Sequence, residues 1–151
     1  MPDIIVADPN DFGVKTRYMD LGDGTKAALV VSLDRMMVAG GASTFRTISA
    51  ASANAAVIKA GAAILYGIQI SNMTALGATR VVKLYNQSTA PVAADSPAMV
   101  FVVPGNFPID ISRSRGVAFP NGLAIAITTS ILDGVLAAVG AGDVSVNLNF
   151  T

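Results

Sequence analysis

The 151-residue chain has no cysteine, no histidine and no tryptophan. All ten of its acidic residues are aspartate. Without thiols there is no disulfide, and without His or Cys the usual zinc ligands are missing. The fold must therefore rest on apolar burial and on contacts between chains, with no metal and no cofactor expected. The nucleophile–base pairs built on His or Cys are excluded as well. Glutamate, a good helix former, is absent while aspartate favours turns and caps, which argues against long surface helices. Charge is scarce: 13% of residues carry one, and ten basic residues cancel ten acidic ones. A typical domain is roughly one-quarter charged. A nucleic-acid binder shows a basic surplus or stripe. Here four Lys and six Arg are spread from Lys15 to Arg115, so no nucleic-acid partner is expected.

What is present is apolar. Some 52% of residues are hydrophobic, much of it alanine, and so high a share implies a surface partly covered by partners, as in a homo-oligomer. Residues 60–79 carry no charge, yet they include Gly61, Gly67, Gln69, Ser71, Asn72 and Thr74. A spanning helix needs about 20 predominantly apolar residues, so a buried strand and loop are expected there, and no membrane partner. Met1-Pro2-Asp3-Ile4 lacks the basic start and apolar core of a signal peptide.

Charge divides the chain. Residues 1–35 hold six aspartates and four basic residues, and the remaining ten charges are spread over residues 36–151. The expected organisation is one domain of two zones: an extended N-terminal arm with one or two strands over 1–40, and a packed body over 41–151. Asp8-Pro9-Asn10-Asp11 and Asp20-Leu21-Gly22-Asp23-Gly24 are turn-rich and punctuate the arm.

Period-two alternation predicts strands in the body. Ile64, Tyr66, Ile68 and Ile70 fall on one face of a strand, with Leu65, Gly67, Gln69 and Ser71 opposite. Val144, Val146, Leu148 and Phe150 alternate with Ser145, Asn147 and Asn149, a half-buried strand. Leu123, Ile125 and Ile127 alternate with Ala124, Ala126 and Thr128. Further strands are expected over 27–33, 44–49, 55–59, 80–85, 99–103 and 116–119, the last joined to Leu123 by a Pro120-Asn121-Gly122 hairpin. Residues 131–139 read as a short helical turn or a loop. About eight short strands between Gly, Pro and Asn turns predict an all-β domain, a β-sandwich of the jelly-roll kind. Without long helical periods between the strands, a parallel α/β architecture is disfavoured.

Few constellations carry chemistry. Asp20 to Gly24 lacks the spacing of a calcium loop, since the twelfth position is Val31. Gly40-Gly41 and Gly140-Ala141-Gly142 lack the strand–loop–helix setting of a phosphate loop. No catalytic residues are assigned, and the chain is not expected to be an enzyme. Two groups are candidate protein-interface residues. Arg113 and Arg115, in a loop ahead of Gly116, suit a neighbour's carboxylate. Asp8, Pro9, Asn10, Asp11 and Phe12 belong to the arm, which suits docking because an arm loses its chain entropy only on binding.

Several stretches resemble small structural proteins of tailed bacteriophages: Leu65-Tyr66-Gly67-Ile68-Gln69-Ile70-Ser71-Asn72, Lys83-Leu84-Tyr85-Asn86-Gln87-Ser88-Thr89-Ala90-Pro91, Pro104-Gly105-Asn106, Gly116-Val117-Ala118-Phe119 with Gly122-Leu123-Ala124, and Val144-Ser145-Val146-Asn147-Leu148. Tyr18-Met19-Asp20-Leu21-Gly22-Asp23-Gly24-Thr25 in the arm is similar too. The resemblance implies a virion protein of the capsid decoration or cement kind with a jelly-roll body. It would be made in the bacterial host cytoplasm and sit on the outer capsid surface. Its expected partners are copies of itself, with a trimer favoured, and the major capsid protein. The alternative is a tail, baseplate or fibre module binding a host-surface glycan through residues 87–96 and 107–115.

Overall fold

The apolar–polar alternation of the body becomes eight strands in the structure. The structure, a computed structural model, describes Arg17–Asp20, Lys26–Leu29 and residues 42–151. The chain divides into two units, Met1–Val38 and Ala39–Thr151. In the first, β1 (Arg17–Asp20) pairs antiparallel with β2 (Lys26–Leu29), Asp20 opposite Lys26. The strand expected over 27–33 is described only through Leu29, and the turn at 21–24 lies outside the described residues.

In the second unit the strands are β3 (Ser43–Ile48), β4 (Ala56–Lys59), β5 (Ala63–Asn72), β6 (Arg80–Tyr85), β7 (Met99–Val103), β8 (Phe107–Phe119), β9 (Leu123–Thr128) and β10 (Val144–Phe150). No helix occurs among the described residues, so none there is long and apolar enough to cross a membrane. The first sheet has the order β3-β10-β5-β8 and the second β4-β9-β6-β7, with every pairing antiparallel. The chain runs out through β3 to β6 and returns through β7 to β10. On the way back β7 pairs β6, β8 pairs β5, β9 pairs β4 and β10 pairs β3. This long antiparallel ribbon is wound up, and the pairs β10–β5 and β9–β6 close the two sheets.

One core cluster takes side chains from both sheets, as a sandwich requires. Leu65, Ile68, Ile70, Val146 and Leu148 meet Val82, Leu84, Phe101, Leu123, Ile125 and Ile127 there. Burying each such side chain is worth about 1.5–3 kcal/mol. The ion pair between Arg80 and Asp143, 2.7 Å long and still open to solvent, is screened by water and contributes less than such a side chain. Apolar burial therefore carries the fold, as a chain without disulfides needs.

Two expectations are corrected. The first concerns β5, where Ile64, Tyr66, Ile68 and Ile70 were expected to share one face. The structure buries Ala63, Leu65, Ile68 and Ile70, and leaves Ile64 37% exposed. The cause is a bulge. Against β10, Leu65 pairs Phe150 and Gly67 pairs Asn149, so Tyr66 is the extra residue. One inserted residue reverses which face the side chains take. The second concerns Pro120-Asn121-Gly122. Its turn links strands of different sheets, β8 and β9, and makes no hairpin. The Gly122 amide donates to the Phe119 carbonyl at 3.3 Å, which puts Pro120 and Asn121 at the centre of the turn. Proline fixes φ near −65°, which suits an ordinary turn rather than a tight hairpin turn with positive φ at both centres. Residues 131–139, left between helix and loop, form a loop.

Candidate interaction surface

The outer face of the second sheet is covered. Along β6 every residue from Val81 to Tyr85 is buried, and along β9 every residue is. Leu123, Ile125 and Ile127 point into the common core, while Ala124 and Ala126 form a small outer cluster with Tyr85, against which Leu136 packs. Leu136 belongs to the loop 129–138, which folds back over the sheet. Small alanines on β9 let that loop approach closely.

Lys83 holds the loop down. It is fully buried, and its Nζ donates to the carbonyls of Leu132, Val135 and Asp133 at 2.5, 3.0 and 3.3 Å. An ammonium has three protons, and each has an acceptor. Burial pushes the Lys83 amine below the ordinary lysine value, and the carboxylate of Asp133 offsets part of this. A second loop, residues 86–98, joins the first where the Ala94 amide donates to the Gly134 carbonyl at 3.3 Å. Asp95 organises that loop by accepting from the Val92 amide and from Gln87 Nε2, both at 2.9 Å. These two bonds hold its carboxyl below the usual range. Beneath lies Tyr85, whose hydroxyl is buried without a hydrogen-bond partner. Burial, then the charges of Asp95 and Asp133, push that phenol upward.

Around this covered face large apolar side chains reach solvent. Val100 and Val102 stand on the edge strand β7, opposite Lys83 and Val81. Val92, Ile131, Leu132 and Val135 stand on the two loops, with Leu132 65% exposed.

Arg113 and Arg115, expected in a loop, are placed within β8, the edge strand of the first sheet. They sit on a bulge: Leu65 pairs Val117 and Gly67 pairs Ser112, so Tyr66 faces Arg113, Ser114, Arg115 and Gly116. Gly116 turns the bulge at φ +67°, and a Cβ there would meet Ile64 Cγ2 at 2.3 Å. Both arginines are exposed, and neither has an acidic partner among the described residues. The bulge opens a slot at the sandwich edge lined by Tyr66, Met99, Phe101, Ile111 and Arg113. The glycan loop expected over 107–115 is thus a strand, whereas 87–96 is a loop. Asp8, Pro9, Asn10, Asp11 and Phe12 lie outside the described residues.

None of Asp95, Asp110, Asp133 and Asp143 is buried. Asp143 accepts from Arg80 Nε and from the Gly140 amide, both at 2.8 Å, and these bonds hold its carboxyl below the usual range. No cluster of three potential metal-ligating side chains occurs among the described residues. Two polar residues that fasten the sandwich had no mark in the sequence. Asn72 is buried, and its Nδ2 donates to the carbonyls of Ala78 and Val103, bridging the sheets. Ser49 donates to the Gly140 carbonyl and accepts from the Val144 amide.

No family model matches the chain, and neither a curated protein nor a solved structure matches it.

Proposed function

We propose that the chain is a non-catalytic structural virion protein, a capsid decoration or cement module that docks on the outer shell of a bacteriophage head. The observation that carries this reading is the apolar rim of the second sheet. Val100, Val102, Ile131, Leu132 and Val135 are exposed around a face already filled beneath them. Such residues on a chain with so little charge suit contact with another protein. The partners in this reading are the major capsid protein and copies of this chain, with a trimer expected. The arm, with Asp8, Pro9, Asn10, Asp11 and Phe12, reaches onto a neighbour, and Arg113 and Arg115 meet its carboxylates.

The sandwich itself is read as a jelly roll. The wound ribbon supports this, since β3 to β6 pair in reverse order with β7 to β10. All connections but β6–β7 pass between the sheets, as two interleaved Greek keys do.

The test is a binding assay on phage heads lacking the protein. A Val100→Asp, Leu132→Asp double variant places charges on exposed positions, so it should fold normally and lose head binding at least tenfold. Removing residues 1–23 should weaken binding separately. Wild-type occupancy by both variants would overturn the reading. Light scattering of the purified protein tests the trimer.

A further inference from the structure

The outer face of the first sheet differs from that of the second. Register lays three rows of side chains across its four strands. One row is Arg46, Asn147, Gln69 and Asp110, the next is Thr44, Asn149, Gly67 and Ser112, and the third is Ile48, Ser145, Ser71 and Pro108. Gly67 leaves a gap in the middle of its row. Around that gap lies a cavity of about 190 Å³ lined by Gln69, Asp110, Ser112, Asn147 and Asn149.

We propose that this cavity is a saccharide-binding site for a single neutral sugar ring. The polar groups of the lining are planar amides, a carboxylate and a hydroxyl, set beside Gly67, Ile68 and Ile111. Each amide offers a donor beside an acceptor, and a carboxylate accepts from two hydroxyls, which matches adjacent sugar hydroxyl groups. Among the described residues only two hydrogen bonds join side chains on this face. Asn147 Nδ2 donates to Gln69 Oε1 at 3.3 Å, and Gln69 Nε2 donates to Asp110 Oδ2 at 3.4 Å. Both are long, so these groups keep capacity for a ligand.

Charge selects the class of ligand. Arg46 at one end of its row and Asp110 at the other cancel within the rows that line the cavity, while the exposed Arg113 and Arg115 follow Ser112 on β8, so a polycation is disfavoured and the lining itself suits a neutral ring. A peptide strand is disfavoured as occupant, because β5 and β10 already use their backbone groups in the sheet, and strand addition needs an open edge. Size points the same way, since pockets for drug-sized ligands begin at about 300 Å³. No aromatic ring lines the cavity, so binding rests on hydrogen bonds and is weak for one ring. Repeated copies in an oligomer would strengthen it by avidity.

Gly67 gives a clean test. Its φ is not positive, and an added Cβ would meet Asn149 Nδ2 at 3.4 Å and the Ile111 carbonyl at 3.6 Å, ordinary contacts. Gly67→Ala should therefore fold and fill the gap. The full chain is titrated with methyl α-D-glucopyranoside, N-acetylglucosamine, L-rhamnose and, as control, glycerol, followed by nuclear magnetic resonance. At least one sugar should give saturable shifts of the Gln69, Asn147 and Asn149 side-chain amides. Gly67→Ala and the exposed-site variant Asn149→Ala should each weaken that sugar at least tenfold. The proposal is overturned if no sugar saturates, if glycerol gives the same shifts, or if both variants bind like wild type.

Discussion

The two sheets share one core but treat their outer faces in opposite ways. The second sheet buries β6 and β9 on both sides, with loops 86–98 and 129–138 as a lid. The first leaves an open polar face of Asn147, Asn149, Gln69 and Asp110. A sheet buried on both faces needs apolar or small side chains on both, and any polar group there must be satisfied from the lid. Lys83 meets that demand with three carbonyls, and Tyr85 does not meet it. Among the described residues of the sandwich, the open sheet carries the polar face. The covered sheet offers an apolar rim instead.

Matched lysine and arginine substitutions test this contrast most strongly. Lys83→Ala should cost on the order of 3 kcal/mol, because it empties a buried position and removes the three bonds that hold the lid. Arg46→Ala, on the open face, should change stability by less than about 0.5 kcal/mol. Chemical denaturation measures both, and equal effects would break the comparison. Next in size is Gly116→Ala at the β8 bulge. Its positive φ and the clash with Ile64 predict a loss of about 2 kcal/mol.

Tyr85→Phe should stabilise by about 1 kcal/mol, since it removes a buried hydroxyl that has no partner. A loss instead would mean that the lid contains an acceptor for this hydroxyl. The same pair governs alkaline behaviour. Lys83 has a lowered folded pKa, so the unfolded chain holds more protons and the stability from this residue rises with pH from that value towards 10.5. Tyr85 has a raised pKa, so its contribution falls as pH climbs above 10.0. Denaturation followed as pH rises towards 10.5 should therefore show a steeper rise in stability for wild type than for Lys83→Met.

The smallest effect is on the acid side. Asp143 and Asp95 have lowered pKa values, so their stabilising contribution is complete above 3.8 and is lost as pH falls through the folded value. Asp143→Asn should flatten the acid limb of the stability profile. An unchanged limb would show that the Arg80 pair does not couple to folding.

Much of this was legible in the chain. Val144 to Phe150 alternates without a fault, and the structure buries Val144, Val146, Leu148 and Phe150 together. The lack of glutamate and the short β-rich runs argued for strands, and the described residues contain no helix. The Ala124–Ala126 face read correctly as small, but nothing local said it would be covered. Lys83 looked like an ordinary strand lysine, because the carbonyls that receive it lie some fifty residues away. The polar cavity was equally hidden, since Asn147 and Asn149 read as a solvated face until Gly67 and Ser112 came beside them.

By itself the sequence determined most of the strands, the alternating faces of β9 and β10 and the dependence on apolar burial, because these follow from period, composition and the lack of cysteine. Tertiary structure decided the rest. The bulge at Tyr66 reversed a face, the turn at Pro120 crossed between sheets, and the lid chose which outer face would be dry. Periodicity is a property of one strand, whereas bulges and covers depend on what a distant segment places beside it.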